Sequence, residues 1–142
     1  MNCCTQVNMK STTLHIIQDK LIQDIKKDFN TTFPYLMIEF YRTDLTKPRP
    51  VNKKFLPGNY HLKNAGTLNK EGFLVVTEAM TVASLERDFL EKFGLNVQVF
   101  RKSGAMWLET TMTENWTLQK QNEHGRELSR FTITEAGDEG QN

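Results

Sequence analysis

A short pattern of apolar, acidic and aromatic residues occurs twice along this chain. Its first copy is Ile25, Asp28, Phe29 and Phe33, and its second copy, at a constant offset, is Leu85, Asp88, Phe89 and Phe93. Residues three or four positions apart share one face of a helix, so each copy predicts a helix that turns two phenylalanines toward one layer. With a one-residue adjustment the strand-like residues that follow also match, Leu36, Ile38, Tyr41 and Arg42 with Leu95, Val97, Phe100 and Arg101. The sequence therefore predicts a helix-strand-strand unit that occurs twice; the alternative is two unrelated amphipathic helices that each lead into a strand.

Periodicity and end signals predict three helices and four strands. Helix 1 follows the cap candidates at 11–13 and carries Leu14, Ile17, Leu21, Ile25 and Phe29; helix 2 spans 82–93, between Thr81 and Gly94; helix 3 begins at Thr113 or Thr117 and ends at about Leu128. Strands are predicted at 36–41, 73–76, 95–100 and 106–111, with a tight turn at Ser103-Gly104 between the last two.

These elements predict an α+β fold in a single domain over residues 11–134. The expected architecture is a four-stranded, mainly antiparallel sheet with two helices on one face (αββαββ, a permuted ferredoxin-like order) plus a C-terminal helix. A β-grasp-like sheet is the alternative. Residues 1–10 are expected to form a flexible leader and residues 135–142 a disordered acidic tail.

Charge and cysteine content limit the classes of partner and compartment. The formal net charge of +1 gives no overall field that would attract a polyanion, so any electrostatic argument is local. The two cysteines, Cys3 and Cys4, are neighbours in a polar segment and are poorly placed to cross-link the domain. No stretch approaches the roughly 18 apolar residues of a membrane span. We therefore expect a cytoplasmic protein that does not enter a membrane.

Aromatic residues concentrate on one predicted sheet face. A turn at Ser103-Gly104 places Phe100 opposite Trp107, and Tyr41 and Met37 share their face. An exposed aromatic face is a surface on which nucleobases stack or a partner protein docks. The alternatives are that helix 3 covers the face or that two protomers bury it by self-association.

The segment 43–71 is a predicted loop with a local excess of positive charge. It contains no acidic residue from Leu45 through Lys70, and its candidate binding residues are Lys47, Arg49, Lys53, Lys54 and Tyr60. Clustered lysine and arginine interleaved with aromatic rings is typical of contact with phosphates and bases. Nucleic acid is therefore a candidate partner, and a solvated loop without a specific ligand is the alternative.

Helix 3 is rich in amides for an amphipathic helix. Gln121 and Asn122 either bind a polar ligand or satisfy backbone groups where the helix docks, and docking is the commoner use. Gly125 inside the helix costs about 1 kcal/mol relative to alanine.

Catalytic motifs do not appear in the sequence. The histidines have no cysteine or carboxylate at metal-ligand spacing, so we predict no metal and no cofactor. If the strands bring Glu39 and Glu109 together, the two carboxylates would form an acid-base pair. This enzymatic function is the least supported by the sequence. The sequence thus favours a non-enzymatic binding or adaptor domain, with a structural homo-oligomerisation domain as the alternative.

The C-terminal half carries one family resemblance. The run 97–104, the segment 107–111 and the positions Trp116-Thr117-Leu118, Gln121-Asn122 and Gly125 resemble a group of short, uncharacterised bacterial proteins. The resemblance covers about residues 82–129 and implies a bacterial cytosolic setting; it implies no activity, cofactor or binding residue.

Overall fold

The computed structural model describes residues 9–48, 52–66 and 70–141, with side chains described as far as residue 130. Its strands are β1 (Ser11–Ile16), β2 (Leu36–Thr43), β3 (Lys53–Phe55), β4 (Gly72–Thr77), β5 (Asn96–Ser103) and β6 (Met106–Glu109). Its helices are α1 (Ile22–Thr32), α2 (Val82–Phe93) and α3 (Leu118–Gln141), with 3₁₀ turns at Leu62–Asn64 and Thr111–Thr113. The α+β class predicted from the sequence is confirmed.

The strands form two separate antiparallel sheets. The main sheet has the order β3-β2-β5-β6 and curls into a half-barrel, and β1 pairs with β4 in a second, two-stranded sheet. Between them lies one core of aliphatic and phenylalanine side chains, in which Phe40 of β2 meets the edge of Phe89 of α2 at 5.7 Å between ring centroids. The repeated phenylalanines of α1 and α2 are buried there, as their spacing predicts.

The two halves of the chain have the same order of elements, β-α-β-β. Equivalent positions form equivalent hydrogen bonds: the Leu62 amide donates to the Lys20 carbonyl at 2.8 Å, and the Leu118 amide to the Met80 carbonyl at 2.7 Å. Equivalent residues also pair with each other across both sheets, at Leu14–Leu74 and at Glu39–Gln98. Pairing of equivalent residues is the signature of a twofold relation, so the two halves are related by an approximate twofold axis through both sheets.

The first predicted helix begins too early. Residues 11–16 form β1, and α1 starts only at Ile22. Leu14 and Ile16 are fully buried while Ser11 and Thr13 are exposed, the two-residue alternation of a strand. The three-residue spacing from Leu14 to Ile17 also fits a helix. What makes this segment a strand is its pairing with β4, which lies far along the chain and gives no local signal.

The set of strands that forms the main sheet also differs from both predicted arrangements. The strand predicted at 73–76 exists, but it pairs with β1, and the place of the fourth main-sheet strand is taken by β3, inside the segment predicted as a loop. β3 has three residues, two of them lysines, so it is too short to show a strand period in the sequence. The observed order is therefore βαβββαββα, with all described strand pairs antiparallel.

The β5–β6 hairpin is shifted by two residues from the predicted register. Phe100 pairs with Glu109, and Trp107 pairs with Lys102. The turn residues are Gly104 and Ala105, of which only Gly104 has a positive φ (65°), as in a type II′ turn. A shift of two residues leaves each side chain on the same sheet face, so Phe100 and Trp107 still share one.

Helix α3 docks through its amides and its glycine. Asn122 accepts a hydrogen bond from the Tyr35 amide at 2.9 Å, and Gln121 bonds the Thr113 carbonyl at 2.8 Å, the docking role expected of them. A β-carbon at Gly125 would lie 2.9 Å from that of Tyr35, so close packing explains the glycine.

The same helix continues to Gln141, through the segment predicted as a disordered tail. No proline follows residue 57 to stop it, and each added helical residue gains a hydrogen bond. No helix in the described part of the chain combines the length and apolar composition needed to cross a bilayer.

Candidate functional site

One face of the main sheet turns away from the core and is called here the open face. Directly paired residues of antiparallel strands share a face, and the pairing places twelve side chains on this one: Met37, Glu39, Tyr41, Thr43, Lys53, Phe55, Asn96, Gln98, Phe100, Lys102, Trp107 and Glu109. The structure thus brings together three residues predicted from the sequence, Tyr41, Phe100 and Trp107, and one predicted from the basic loop, Lys53.

On the open face the Phe55 ring of β3 contacts one aromatic ring of β2 and one of β5. Phe55 lies with its ring centroid 5.8 Å from Tyr41 and 5.8 Å from Phe100, at interplanar angles of 67° and 63°. Phe55 and Phe100 lie on strands that are both neighbours of β2, so only a strongly curled sheet lets their rings meet. Phe55 is 40% exposed, and Tyr41 and Phe100 are half-buried. The cluster is therefore an apolar platform that a ligand can reach.

Two lysine ammonium groups lie over rings of the open face. The Lys53 Nζ is 4.8 Å from the Tyr41 ring centroid, and the Lys102 Nζ is 6.0 Å from that of Trp107. The Lys53 Nζ also donates to the Oε1 of Gln98 at 2.6 Å, and Gln98 is only 3% exposed. Cation–π contact and this hydrogen bond hold Lys53 beside the ring cluster.

Glu86 of α2 reaches the same region from the side. β6 pairs only with the second half of β5, so the first half of β5 has an outer edge without a strand partner. This edge faces α2, and Glu86 Oε2 accepts a hydrogen bond from the Val99 amide there at 3.0 Å. Burial raises the pKa of Glu86 to about 7; the Val99 hydrogen bond and Lys53 oppose this rise, and Glu114 and Glu109 add to it. Burial, with a smaller contribution from Glu86, also raises the pKa of Tyr41.

The other end of the open face holds Trp107 beside α1. Trp107 and Met37 line an open cavity of ≈ 340 Å³ together with polar side chains of α1. One of these, Lys26, forms a 2.9 Å ion pair with Glu39. Lys26 occupies in α1 the position that Glu86 occupies in α2, so the two halves of the open face differ in charge although their backbones are equivalent.

Helix α3 makes its contacts on the other side of the main sheet. Its Gln121 accepts a hydrogen bond from Arg101 at 2.7 Å, and Arg101 also lies 5.8 Å from the centroid of the Trp116 ring. Arg101 is adjacent in β5 to Phe100 and therefore points to the opposite face. The described contacts of α3 thus leave the ring cluster accessible.

The basic loop is divided by β3 into two surfaces. Lys53 and Phe55 point to the open face, whereas Lys54 pairs with Arg42 on the other side. Tyr60 and His61 lie on that second side, where they line an open cavity of ≈ 480 Å³ with Arg42, Asn59 and Asn64. Lys47 is exposed in solvent, and Arg49 lies outside the described residues.

The carboxylates weighed for acid-base work do not form a pair. Glu39 is bonded to Lys26, and β5 lies between its strand and that of Glu109. Within the described ranges, no group of three or more histidine, cysteine, aspartate or glutamate side chains is arranged to hold a metal ion.

The sequence does not single out Glu86, Gln98 or Lys102, and it marks Phe55 only as one of the aromatic rings of the basic loop, not as a residue of the sheet face. The signal for Phe55 is its two-residue spacing from Lys53, which puts both on one side of a strand once β3 is recognised. Glu86 gives a weaker signal, as an acidic residue where the matching helix position is Lys26. Nothing in the sequence indicates that Gln98 is buried.

The comparisons with known proteins give no further assignment. No protein-family model matches the chain, and no match was found among curated proteins or among solved structures.

Proposed function

We propose that this chain is a non-enzymatic binding module that holds single-stranded nucleic acid on the open face. The observation that supports this most directly is the accessible cluster of Tyr41, Phe55 and Phe100 with Lys53 beside it. Exposed rings next to cations are how proteins hold single strands, because every base has a face to stack and every linkage a charge. The cytoplasmic, bacterial setting expected from the sequence is part of this proposal.

The electrostatics of the region support an anionic ligand in spite of the nearby carboxylates. The Lys26 ion pair neutralises Glu39, and Glu86 is about half protonated at neutral pH. Lys53 and Lys102 lie on the open face itself, and Lys54, also in the narrow edge strand β3, lies on the opposite side of that strand. We therefore expect binding that weakens with added salt and strengthens as the pH falls through 7.

Tryptophan fluorescence offers a direct test. Trp116 packs against His124 and Lys120, away from the open face, so Trp116→Phe leaves Trp107 as the only tryptophan and places the reporter on the proposed site. Titration with unlabelled oligothymidylate and oligouridylate at low salt should change its emission. No change with any oligonucleotide, by fluorescence or by anisotropy of a labelled strand, would overturn the proposal.

A matched pair of variants locates the binding. Phe55→Ala removes an exposed ring from the platform, and Phe73→Ala removes a more exposed one from the two-stranded sheet; Phe55 is 40% exposed and Phe73 65%. Loss of one stacked base is worth about 1–3 kcal/mol, so Phe55→Ala should weaken binding about 5- to 150-fold and Phe73→Ala should not. Equal effects would show that the open face is not the site, and binding of unstructured peptides alone would assign the face to a protein partner.

A second candidate function is self-association through the two-stranded sheet. Its outer side carries Phe73 and Val75, 65% and 56% exposed, with His15 stacked on Phe73 at 4.3 Å between ring centroids. Exposed apolar residues on a sheet with free edges favour pairing between copies. Light scattering over a wide concentration range should show a dimer that Val75→Lys disrupts; a monomer at every concentration would exclude this function.

A further inference from the structure

We infer that the cavity lined by Arg42, Asn59, Tyr60, His61 and Asn64 binds a phosphate group of the ligand. This inference rests on the proposed function for the identity of the ligand, but it is drawn from a different surface, on the far side of β3 from the ring cluster. The cavity is open and measures ≈ 480 Å³, enough for a phosphate and an attached sugar or base.

Two positive side chains lie opposite each other beside this cavity. Arg42 and Lys54 pair directly across β2 and β3, and both are exposed. Like charges directly opposite each other destabilise a sheet. No carboxylate of the described residues lies within ion-pair distance of either group; Asp44 acts on Lys54 only from further away and is itself held by Thr46. A bound dianion relieves this repulsion.

The residues that line the cavity supply several hydrogen-bond donors. The Arg42 guanidinium donates to the Asn64 carbonyl, a bond that anchors the side chain at the cavity and leaves other N–H groups of its planar fork for a ligand. Asn59 and Asn64 add amide donors, and His61 adds an imidazole that donates from both nitrogens when protonated. A tetrahedral oxyanion is the ligand that such a set of donors around one cavity suits best.

Backbone hydrogen bonds hold the segment that lines the cavity in place. His61 forms a bridge with Leu21, and the Tyr60 carbonyl accepts the amide of Ile22 at 2.9 Å. The Tyr60 ring, 38% exposed, therefore projects from an ordered segment beside Arg42. A single-stranded nucleic acid that crosses β3, an edge strand of only three residues, can place bases on Phe55 and a phosphate at Arg42.

The test uses Arg42→Gln, with Arg42→Lys as the variant that keeps the charge and loses the fork. Arg87→Gln, at an exposed arginine of α2, is the control with the same change of charge. The probes are pentathymidylate with a 5′-phosphate, with a 3′-phosphate and with neither, together with inorganic pyrophosphate. Arg42→Gln should weaken binding of the oligonucleotide about tenfold and reduce the slope of log affinity against log salt by about one, and Arg87→Gln should leave both unchanged.

The results separate this inference from the proposed function. A gain in affinity from a terminal phosphate that disappears in Arg42→Gln identifies a phosphate monoester as the ligand group; an equal loss for all three oligonucleotides identifies a backbone diester. If Phe55→Ala weakens binding while Arg42→Gln behaves like Arg87→Gln, the phosphate site is wrong and the binding module stands. If pyrophosphate binds in an Arg42-dependent way while no oligonucleotide binds, the phosphate site stands and the nucleic-acid function falls.

Discussion

Replacing Glu86 by glutamine should make the protein more stable at alkaline pH and remove much of its pH dependence. Glu86 accepts the Val99 amide at the outer edge of β5, and its pKa is raised to about 7, mainly by burial. A glutamine at this position keeps an oxygen for the Val99 amide but carries no charge. The substitution therefore isolates the cost of the buried charge from the hydrogen bond.

The sign and size of the effect follow from proton linkage. An ordinary glutamate has a pKa near 4.5, so between pH 4.5 and 7 the folded protein holds a proton at Glu86 that the unfolded chain has released. The free energy of unfolding then falls as the pH rises through this window and is level above it. A rise from 4.5 to about 7, at about 1.4 kcal/mol per unit, amounts to about 3 kcal/mol.

The assay is urea unfolding followed by far-ultraviolet circular dichroism from pH 4.5 to 8.5, for wild type, Glu86→Gln and Glu91→Gln. Glu91 is an exposed glutamate of the same helix and serves as the control. The difference in unfolding free energy between Glu86→Gln and wild type should grow by up to about 3 kcal/mol from the acid to the alkaline end, and that for Glu91→Gln should stay nearly constant. Parallel profiles for wild type and Glu86→Gln, or a less stable Glu86→Gln at pH 8, would refute the reasoning.

Two further substitutions test the packing and the capping of the helices. Gly125→Ala gains about 1 kcal/mol of helix propensity, but its β-carbon would lie 2.9 Å from that of Tyr35, and overpacking costs about 1–3 kcal/mol. Thermal and urea unfolding should therefore show a net loss of stability for Gly125→Ala. In the control Gly72→Ala the new β-carbon meets Phe93 at an ordinary 3.7 Å, so its stability should change little. A stabilised Gly125→Ala would contradict the close approach. Thr81→Ala removes the hydroxyl that accepts the Ser84 amide at 3.1 Å and should cost about 1 kcal/mol, which Thr81→Ser should restore; equal stability of all three proteins would show that this cap contributes nothing.

The sequence by itself determined the elements whose signals are local. Helix α2 was predicted with its Thr81 cap and its Gly94 end, and Gly94 adopts the left-handed conformation with φ of 68°. The matched phenylalanines of the two helices lie in the core, because an amphipathic period reports which helix face is buried wherever that face packs. The common face of Tyr41, Phe100 and Trp107 also followed from alternation, which survives a register shift of two residues.

Tertiary structure decided what depends on partners far along the chain. Residues 11–16 became a strand because β4 pairs with them, and Lys53–Phe55 became one because β2 offers an edge there. The raised pKa of Glu86 arises only where α2 meets the unpaired edge of β5. The ring cluster and the Arg42 cavity likewise exist only after the sheet has curled and β3 has divided the basic loop. Local periodicity therefore identified which residues are buried and which face they share, and long-range pairing decided which of the exposed ones meet.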